Sequence, residues 1–246
     1  MSADELDPED RKFLAGYDPE AYERLSVAVD VALVTVIDGR LRALTVKRPE
    51  PPYRGWQALP GGFLGVDESP ERAAARVLAD KTGLEGVYLE QLYTFGEPGR
   101  DPRTRVLSIA HYALVPASRL SKAPGPGSQL AELVVSWEGE EGGPAGVVID
   151  RAPRRLAFDH ARILGMVVQR LRGKIAYAPV GYELLGDTFT LRELQEVHEA
   201  ILGRGMSKPA FRRRMLATGD LTATGEMESD VAYRPAELYR FTGRPG

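Results

Sequence analysis

Three arginines and one aspartate lie within six residues, in the segment Arg100-Asp101-Pro102-Arg103-Thr104-Arg105. Guanidinium groups form paired hydrogen bonds with phosphate oxygens, and a carboxylate accepts hydrogen bonds from sugar hydroxyls. These residue types therefore fit a ligand that carries a diphosphate and a ribose. The alternative is a solvated loop in which an arginine pairs with Asp101.

A second cationic segment, SKPAFRRRML, begins at Ser207. Phe211 and Met215 are four residues apart, so they bury one face of a helix, while Arg213 and Arg214 point away from that face and Lys208 and Arg212 flank it. The predicted cations are Lys208, Arg212, Arg213 and Arg214. Such a face suits DNA phosphates, and arginine also reaches guanine edges in the major groove. The alternatives are an ordinary solvated helix face and a protein-binding surface.

Alternating apolar residues and turn signals predict the sheet that positions the first segment. The predicted strands are Ser26 to Ile37, Leu41 to Lys47, Val87 to Tyr93, Val106 to Val115 and Ala131 to Trp137. The predicted loops are 48–55, 123–128 and 139–146. One helix runs from Pro70 to Thr82, with Ser69 as its cap and Gly83 as its end.

Helices and a hairpin are predicted for the rest of the chain. Asp159 caps a helix whose apolar stripe contains Leu164, Val167, Val168 and Leu171. A capping box, Thr190 to Glu193, opens a helix that ends at Gly203, and Ser207 caps the next one. That helix carries Phe211, Met215 and Leu216 on one side, and a hairpin pairs Leu221 to Thr224 with Val231 to Phe241. This order is typical of a winged helix-turn-helix, with Thr222, Arg234 and Arg240 on the wing.

Charge separates the two halves of the chain. Residues 1–150 contain 16 Lys and Arg against 24 Asp and Glu, whereas residues 151–246 contain 16 against 11. The positive half is the one suited to a polyanion. With no cysteine and three scattered histidines, disulfides and thiolate zinc sites are excluded, and a metal would rest on carboxylates. The lack of a long apolar stretch and of a signal-peptide pattern predicts a cytoplasmic protein without membrane contact.

The segment after Gly62, GFLGVDESPERAAARVLADKTGL, resembles the Nudix box. The box pattern is Gly, five residues, Glu, seven residues, then Arg-Glu-hydrophobic-x-Glu-Glu-x-Gly-hydrophobic. The matching residues are Gly62, Glu68, Arg76, Leu78, Gly83 and Leu84, after the lead-in Leu59-Pro60-Gly61-Gly62. The resemblance implies an α/β fold, a Nudix α/β/α sandwich with a mixed sheet. An ordinary capped helix after a glycine turn explains Ser69-Pro70 and Gly83, but not the spacing of Glu68 and Arg76.

The departures from the box bear on catalysis. Glutamates on one face of a Nudix helix hold Mg²⁺, which bridges the diphosphate and activates water. Here that face presents Val77, Asp80 and Lys81, so the resemblance implies a pocket that has lost most of its catalytic metal site. We expect no required cofactor, at most a weak Mg²⁺ on Glu68 and Asp80, and no enzymatic activity beyond residual hydrolysis.

Nudix proteins acting on ADP-ribose often carry a similar Arg-Asp-Pro-Arg before such a strand, and this resemblance suggests ADP-ribose as the ligand. The whole chain resembles the NrtR family, dimeric repressors of NAD synthesis or salvage genes. The resemblance also rests on Tyr17 to Arg24, Phe158 to Ala161 and Phe189 to Leu194. It implies a Nudix-like sensing domain at 1–157 and a linker helix with a winged helix-turn-helix at 158–246. The expected partners are operator DNA, ADP-ribose or a related NAD metabolite, and a second copy of the chain.

Two sets of residues are predicted to carry this function. The predicted ligand-binding residues are Arg48, Trp56, Gly61, Gly62, Phe63, Glu68, Arg76, Asp80, Lys81, Arg100, Asp101, Arg103 and Arg105, with Trp56, Phe63 and Tyr93 as candidate adenine platforms. The predicted DNA-binding residues are Thr190, Ser207, Lys208, Arg212, Arg213, Arg214, Thr222 and Arg234. The alternatives are a Nudix diphosphatase that hydrolyses ADP-ribose, and a protein-interaction module whose pocket is inactive.

Overall fold

The computed structural model describes residues 7–120, 127–229 and 232–243. The predicted loop residues 123–126 and hairpin residues 230–231 lie outside these ranges. The described helices are α1 (Pro8–Ala15), α2 (Pro70–Thr82), α3 (His160–Lys174), α4 (Leu191–Leu202) and α5 (Lys208–Ala217). The described strands are β1 (Ser26–Ile37), β2 (Arg40–Lys47), β3 (Gln57–Ala58), β4 (Gly61–Phe63), β5 (Tyr88–Phe95), β6 (Val106–Leu114), β7 (Ser128–Val135), β8 (Ala145–Ile149), β9 (Ala152–Arg154), β10 (Phe189–Thr190), β11 (Leu221–Met227) and β12 (Glu237–Phe241).

Nine of the described strands form a mixed sheet in the order β5-β6-β1-β2-β7-β8-β9, with β3 paired to β2 and β4 to β1. β1 and β6 run parallel, and their partners run antiparallel. Successive residues of a strand point to opposite faces, so Val31 and Leu33 pack with α2 while Ala32 and Val34 pack with α3. The predicted α/β/α sandwich is confirmed. No helix in the described part of the chain is long and apolar enough to cross a membrane.

The winged helix-turn-helix is also confirmed. Helices α4 and α5 stand against a small sheet of order β10-β12-β11. Its core is built from Phe189, Leu191, Leu194, Phe211, Met215 and Tyr239. The turn between the helices is fixed by Glu199, whose Oε1 accepts hydrogen bonds from the Met206 amide at 2.7 Å and the Gln195 side chain at 2.8 Å. These hydrogen bonds tie α4 to the turn that precedes α5.

Helix α3 joins the two halves. Its apolar stripe packs on the mixed sheet in one cluster with Val197 and Ile201 of α4. Near the C-terminal end of α3, the buried Arg172 donates hydrogen bonds to the carbonyls of Ile201 at 3.0 Å, Gly139 at 3.0 Å and Trp137 at 3.3 Å. The guanidinium also lies 4.7 Å from the Trp137 ring centroid. The predicted domain boundary at residue 157 therefore lies just before α3, and α3 packs on the mixed sheet as well as on α4.

Three local predictions were wrong. Asp159 occupies the first position before α3, but its side chain makes no capping bond because it binds Arg100 instead. Ser207 precedes α5 without a side-chain capping bond. Leu216 is 43% exposed because it follows the buried Met215 by one residue, about 100° further around the helix.

Several elements were not predicted. The predicted loop 139–146 ends two residues early, since β8 begins at Ala145, and a tight turn then leads into the unpredicted β9. Helix α1 was also missed; Asp7 caps it, accepting from the amides of Glu9 and Asp10. β12 begins only at Glu237, six residues later than the predicted strand.

Candidate functional site

A cleft of 290 Å³ lies where β1, β4 and the loop between β5 and β6 meet the beginning of α3. Seven of the predicted ligand-binding residues line it: Arg48, Gly61, Gly62, Phe63, Arg100, Asp101 and Arg103. Seven further residues line it, and three of these carry charged, aromatic or imidazole side chains that sequence reasoning did not place there: Asp30, Phe158 and His160. The structure thus brings the Gly-Gly turn and the arginine segment to one cavity.

A buried ion-pair cluster forms the floor of this cleft. Arg100 binds both oxygens of Asp159, through Nε at 2.9 Å and Nη2 at 2.6 Å, and its Nη2 lies 3.3 Å from Asp30 Oδ2. Ser108 donates to the same Asp30 oxygen at 2.6 Å. Only 5% of the Arg100 side chain is exposed. Its guanidinium is therefore committed to two carboxylates, contrary to the prediction that it faces a diphosphate.

His160 connects the cluster to the glycine turn. Its Nδ1 accepts a hydrogen bond from the Leu59 amide at 2.9 Å, which places the ring proton on Nε2, 3.5 Å from Asp30 Oδ1. Burial raises the pKa of Asp30, but His160, Ser108 and Arg100 together outweigh it and lower that pKa to about 2. Asp30 is thus a carboxylate at any physiological pH.

Arg103 is held at the opening of the cleft by its neighbour Asp101. The Asp101 carboxylate accepts from the Arg103 amide at 3.0 Å, from Nε at 3.0 Å and from Nη2 at 2.7 Å. These hydrogen bonds lower the pKa of Asp101. Because Asp101 is buried and its acceptors face Arg103, it orients this guanidinium and is not placed as the predicted acceptor for ribose hydroxyls.

Aromatic rings surround the same opening. The Phe158 ring centroid lies 4.9 Å from the Arg48 guanidinium and 5.8 Å from that of Arg103. Tyr53 meets the Phe158 ring edge-on at 5.0 Å, and Phe63 is 51% exposed with Arg103 5.9 Å from its centroid. Phe158 has φ +53°, a conformation that costs a non-glycine residue energy and is common at binding sites. This mouth suits a planar base and an anion.

Three predicted residues lie away from the cleft. Trp56 packs on Tyr53 at 5.1 Å and under Arg155 at 5.3 Å, and Tyr93 packs against Phe95 at 5.5 Å. Arg105 lies at the foot of β6 and does not line the cavity. Of the candidate adenine platforms, only Phe63 lines the cleft.

The residues of the box-like helix also stay outside the cavity. Glu68 uses its carboxylate on Arg76, at 3.1 Å to Nε and in a shorter contact to Nη2, and on the Gly65 amide at 2.9 Å. Val77 is 3% exposed and packs in the core beneath α2, while Asp80 and Lys81 are exposed. No group of three or more His, Asp or Glu side chains in the described ranges is placed to hold a metal. The residues present do not fit the Mg²⁺ site of a Nudix enzyme.

The candidate nucleic-acid interface is the outer face of α5. Four cationic residues of this helix are exposed: Lys208, Arg212, Arg213 and Arg214. Phe211 anchors the opposite side of the helix, and the Arg214 guanidinium lies 5.5 Å from its ring centroid. The exposed face therefore carries several cations that a polyanion can reach.

The other predicted DNA-binding residues differ in access. Thr190 is fully buried and completes the capping box with Glu193, so its side chain is not available to DNA. Ser207, Thr222 and Arg234 are exposed. Sequence reasoning missed Arg192, which donates to Glu228 at 2.8 Å and stacks on Tyr233 at 4.6 Å. Arg192 thereby ties the wing to the first turn of α4.

Two family models match the chain. A model described as the NUDIX domain matches residues 26–139, and one described as the NrtR DNA-binding winged helix domain matches residues 181–241. The chain is 35% identical over 235 residues to an "ADPR responsive transcriptional repressor NtrR" of Acinetobacter baylyi, covering 94% of this chain and 88% of that one. It is 30% identical over 154 residues to an ADP-ribose pyrophosphatase of Methanocaldococcus jannaschii, covering 63% of this chain and 81% of the relative.

Solved structures give the same picture. Shewanella oneidensis NrtR complexed with a 27mer DNA matches with a TM-score of 0.71 and 33% identity, over 87% of this chain and 93% of that one. A MutT/nudix family protein from Enterococcus faecalis matches with a TM-score of 0.77 and 24% identity, over 98% and 94%, which shows a shared fold. The likeness to these structures extends over both halves of the chain.

Proposed function

The chain belongs to the NrtR family, and from that premise we propose that it is a transcriptional repressor of NAD synthesis or salvage genes. In this proposal it binds operator DNA through the winged helix and senses ADP-ribose, or a related NAD metabolite, in the cleft beside the Gly-Gly turn. It acts as a homodimer, because two-fold operators are read by two-fold proteins.

The observation that carries the proposal is that one chain combines two recognition surfaces of different chemistry. The cleft has arginines and aromatic rings at its mouth, with Arg48 and Arg103 flanking Phe158. The second helix of the winged helix presents a row of exposed cations. A dinucleotide-like ligand fits the first surface, and a DNA backbone fits the second.

The decisive experiment is a mobility shift on DNA upstream of the protein's own gene or of neighbouring NAD genes, with and without ADP-ribose. Coupling between the sites is reciprocal, so a tenfold loss of operator affinity caused by ligand requires a tenfold loss of ligand affinity caused by operator, about 1.4 kcal/mol. Titration of ADP-ribose into free and operator-bound protein measures this. Equal affinities in the two titrations would refute metabolite sensing.

We expect Arg103→Ala to weaken ADP-ribose binding by about 1.5–3 kcal/mol, because a charged hydrogen bond to the diphosphate is lost. Isothermal calorimetry on the folded variant measures the change. Arg40→Ala, which removes an exposed arginine on β2, serves as the matched control and should leave ADP-ribose affinity unchanged. An unaltered dissociation constant in Arg103→Ala would place the ligand elsewhere.

A second candidate function is ADP-ribose hydrolysis, favoured by the identity to an ADP-ribose pyrophosphatase. We propose that this activity is absent or vestigial. Val77 lies in the core, Lys81 places a cation on the helix, and Glu68 is already bound by Arg76. A weak Mg²⁺ on Glu68 and Asp80 stays a prediction, and the commitment of Glu68 to Arg76 argues against it.

Turnover of ADP-ribose with Mg²⁺ is accordingly expected to be far below ordinary enzyme rates of about 1 per second. Phosphate-coupled or chromatographic product analysis measures it. Val77→Glu combined with Lys81→Glu should revive hydrolysis only if the other residues of the metal site are in place. The Val77→Glu change also puts a charged side chain at a buried position, which costs stability. Wild-type turnover at about 1 per second or faster would contradict the proposal.

A further inference from the structure

The floor and the mouth of the cleft differ in charge. At the mouth, Arg48 Nε donates to the Pro52 carbonyl at 2.7 Å, and no carboxylate within residues 7–120, 127–229 and 232–243 forms an ion pair with it. At the floor, Arg100 lies between two carboxylates, Asp30 and Asp159, and this trio carries a net negative charge. A phosphate is attracted to the mouth and repelled by the floor.

One oxygen of the floor has spare acceptor capacity. Asp30 Oδ2 accepts from Ser108 and Arg100, but Oδ1 has only the 3.5 Å approach of His160 Nε2, which is long for a hydrogen bond. An ionised carboxylate oxygen accepts more than one hydrogen bond. Both Asp159 oxygens, in contrast, are bound by Arg100.

Asp30 Oδ1 lies close to Gly61 in the wall of the cleft. A Cβ at Gly61 would stand 2.5 Å from Asp30 Oδ1, so glycine is required for the two to lie together. The Asp30 side chain keeps 11% of its surface exposed, and both residues line the cavity. A donor brought in by a ligand can therefore reach Oδ1.

We propose that Asp30 reads a sugar hydroxyl of the bound ligand, and that the cleft holds the terminal ribose of ADP-ribose at its floor with the diphosphate at the Arg48 and Arg103 mouth. This rests on the proposed function, because it assigns a pose to the proposed ligand. A hydroxyl donates to Asp30 Oδ1 without adding charge beside the carboxylates, whereas a phosphate at the same place adds like charge. Asp30 is thus a specificity-determining residue.

The test compares ADP-ribose with the β-methyl ester of ADP, which has the same diphosphate charge and lacks the terminal sugar. Calorimetry on the full chain should show that the wild type prefers ADP-ribose by at least about 10-fold, the loss expected for one charge-assisted hydrogen bond. In Asp30→Asn this preference should fall to within about 3-fold. The ratio of the two affinities within each protein is the readout, because removing a floor charge acts on the diphosphate of both ligands alike.

Asp159→Asn is the matched control, because it removes the same charge from the same cluster but leaves Asp30 Oδ1 in place. It should keep the wild-type preference, even if its melting temperature falls as much as that of Asp30→Asn. Equal loss of preference in both variants would overturn the proposal in favour of cluster charge alone. Equal wild-type affinities for the two ligands would overturn it without any variant, whereas failure of the wild type to bind ADP-ribose would refute the proposed function itself.

Discussion

Replacing Arg100 with alanine is expected to lower the free energy of unfolding by about 3–5 kcal/mol. The substitution leaves Asp30 and Asp159 buried side by side without their shared cation. Two carboxylates in that position repel each other and cannot recover their hydration. Chemical denaturation monitored by circular dichroism measures the loss. Arg100→Ala combined with Asp159→Asn should recover part of it, since one of the stranded charges is gone.

The pH dependence separates this mechanism from a simple packing defect. Asp30 has its pKa lowered to about 2 in the folded protein, so its contribution to stability is present above its unfolded pKa near 4 and is lost as pH falls toward 2. Without Arg100 the pKa of Asp30 rises, and the wild type and variant should converge in stability on acidification. A stability gap that is constant from pH 7 to about pH 3 would contradict the electrostatic explanation.

Replacing both Arg213 and Arg214 with alanine is expected to weaken operator binding by about 100-fold at moderate salt. If both side chains contact phosphates, the slope of log affinity against log salt concentration should fall by about 2, because two fewer counterions are released. If one contacts a base edge instead, the loss should depend on operator sequence and amount to about 1–3 kcal/mol at that position. Fluorescence anisotropy across a salt series distinguishes these cases.

Two controls test whether the loss of operator affinity is specific to α5. Arg40→Ala changes the net charge on the mixed sheet and should leave the salt slope unchanged. The affinity of the double variant for ADP-ribose in the absence of DNA should match that of the wild type, because α5 does not line the cleft. Wild-type operator affinity in the double variant would mean that α5 is not the DNA-reading helix.

Local rules predicted some elements to the residue. β1 and α2 have the bounds expected from the alternating valines, the Ser69 cap and the left-handed Gly83. The capping box at Thr190 is present with both of its hydrogen bonds. In each case the signal lies within a few residues of the feature it specifies, so no knowledge of the tertiary structure is needed.

The site was harder to predict because its members come together only in the folded chain. Asp30 lies inside an apolar strand, 70 residues from Arg100. No residue near it in the sequence indicates that its carboxylate belongs to the site. The segment Phe158-Asp-His gave a signal, since it resembled the family, but the sequence offered no reason to place it against the glycine turn. Asp159 and Thr190 were predicted for roles that their residue types suit but their surroundings prevent. Asp159 binds the distant Arg100 and does not cap α3, and Thr190 is buried and cannot contact DNA.

The shared packing around α3 limits how the protein can be taken apart. Val197 and Ile201 of the winged helix complete an apolar cluster begun by the sheet, and Arg172 gives its hydrogen bonds to carbonyls on both sides of the junction. A chimaera that grafts α4 and α5 onto a foreign sensor would leave Val197 and Ile201 facing water and the Ile201 carbonyl without its Arg172 donor. The winged helix therefore cannot be exchanged on its own. A functional exchange of winged helices between relatives has to include α3 and residues 137–139.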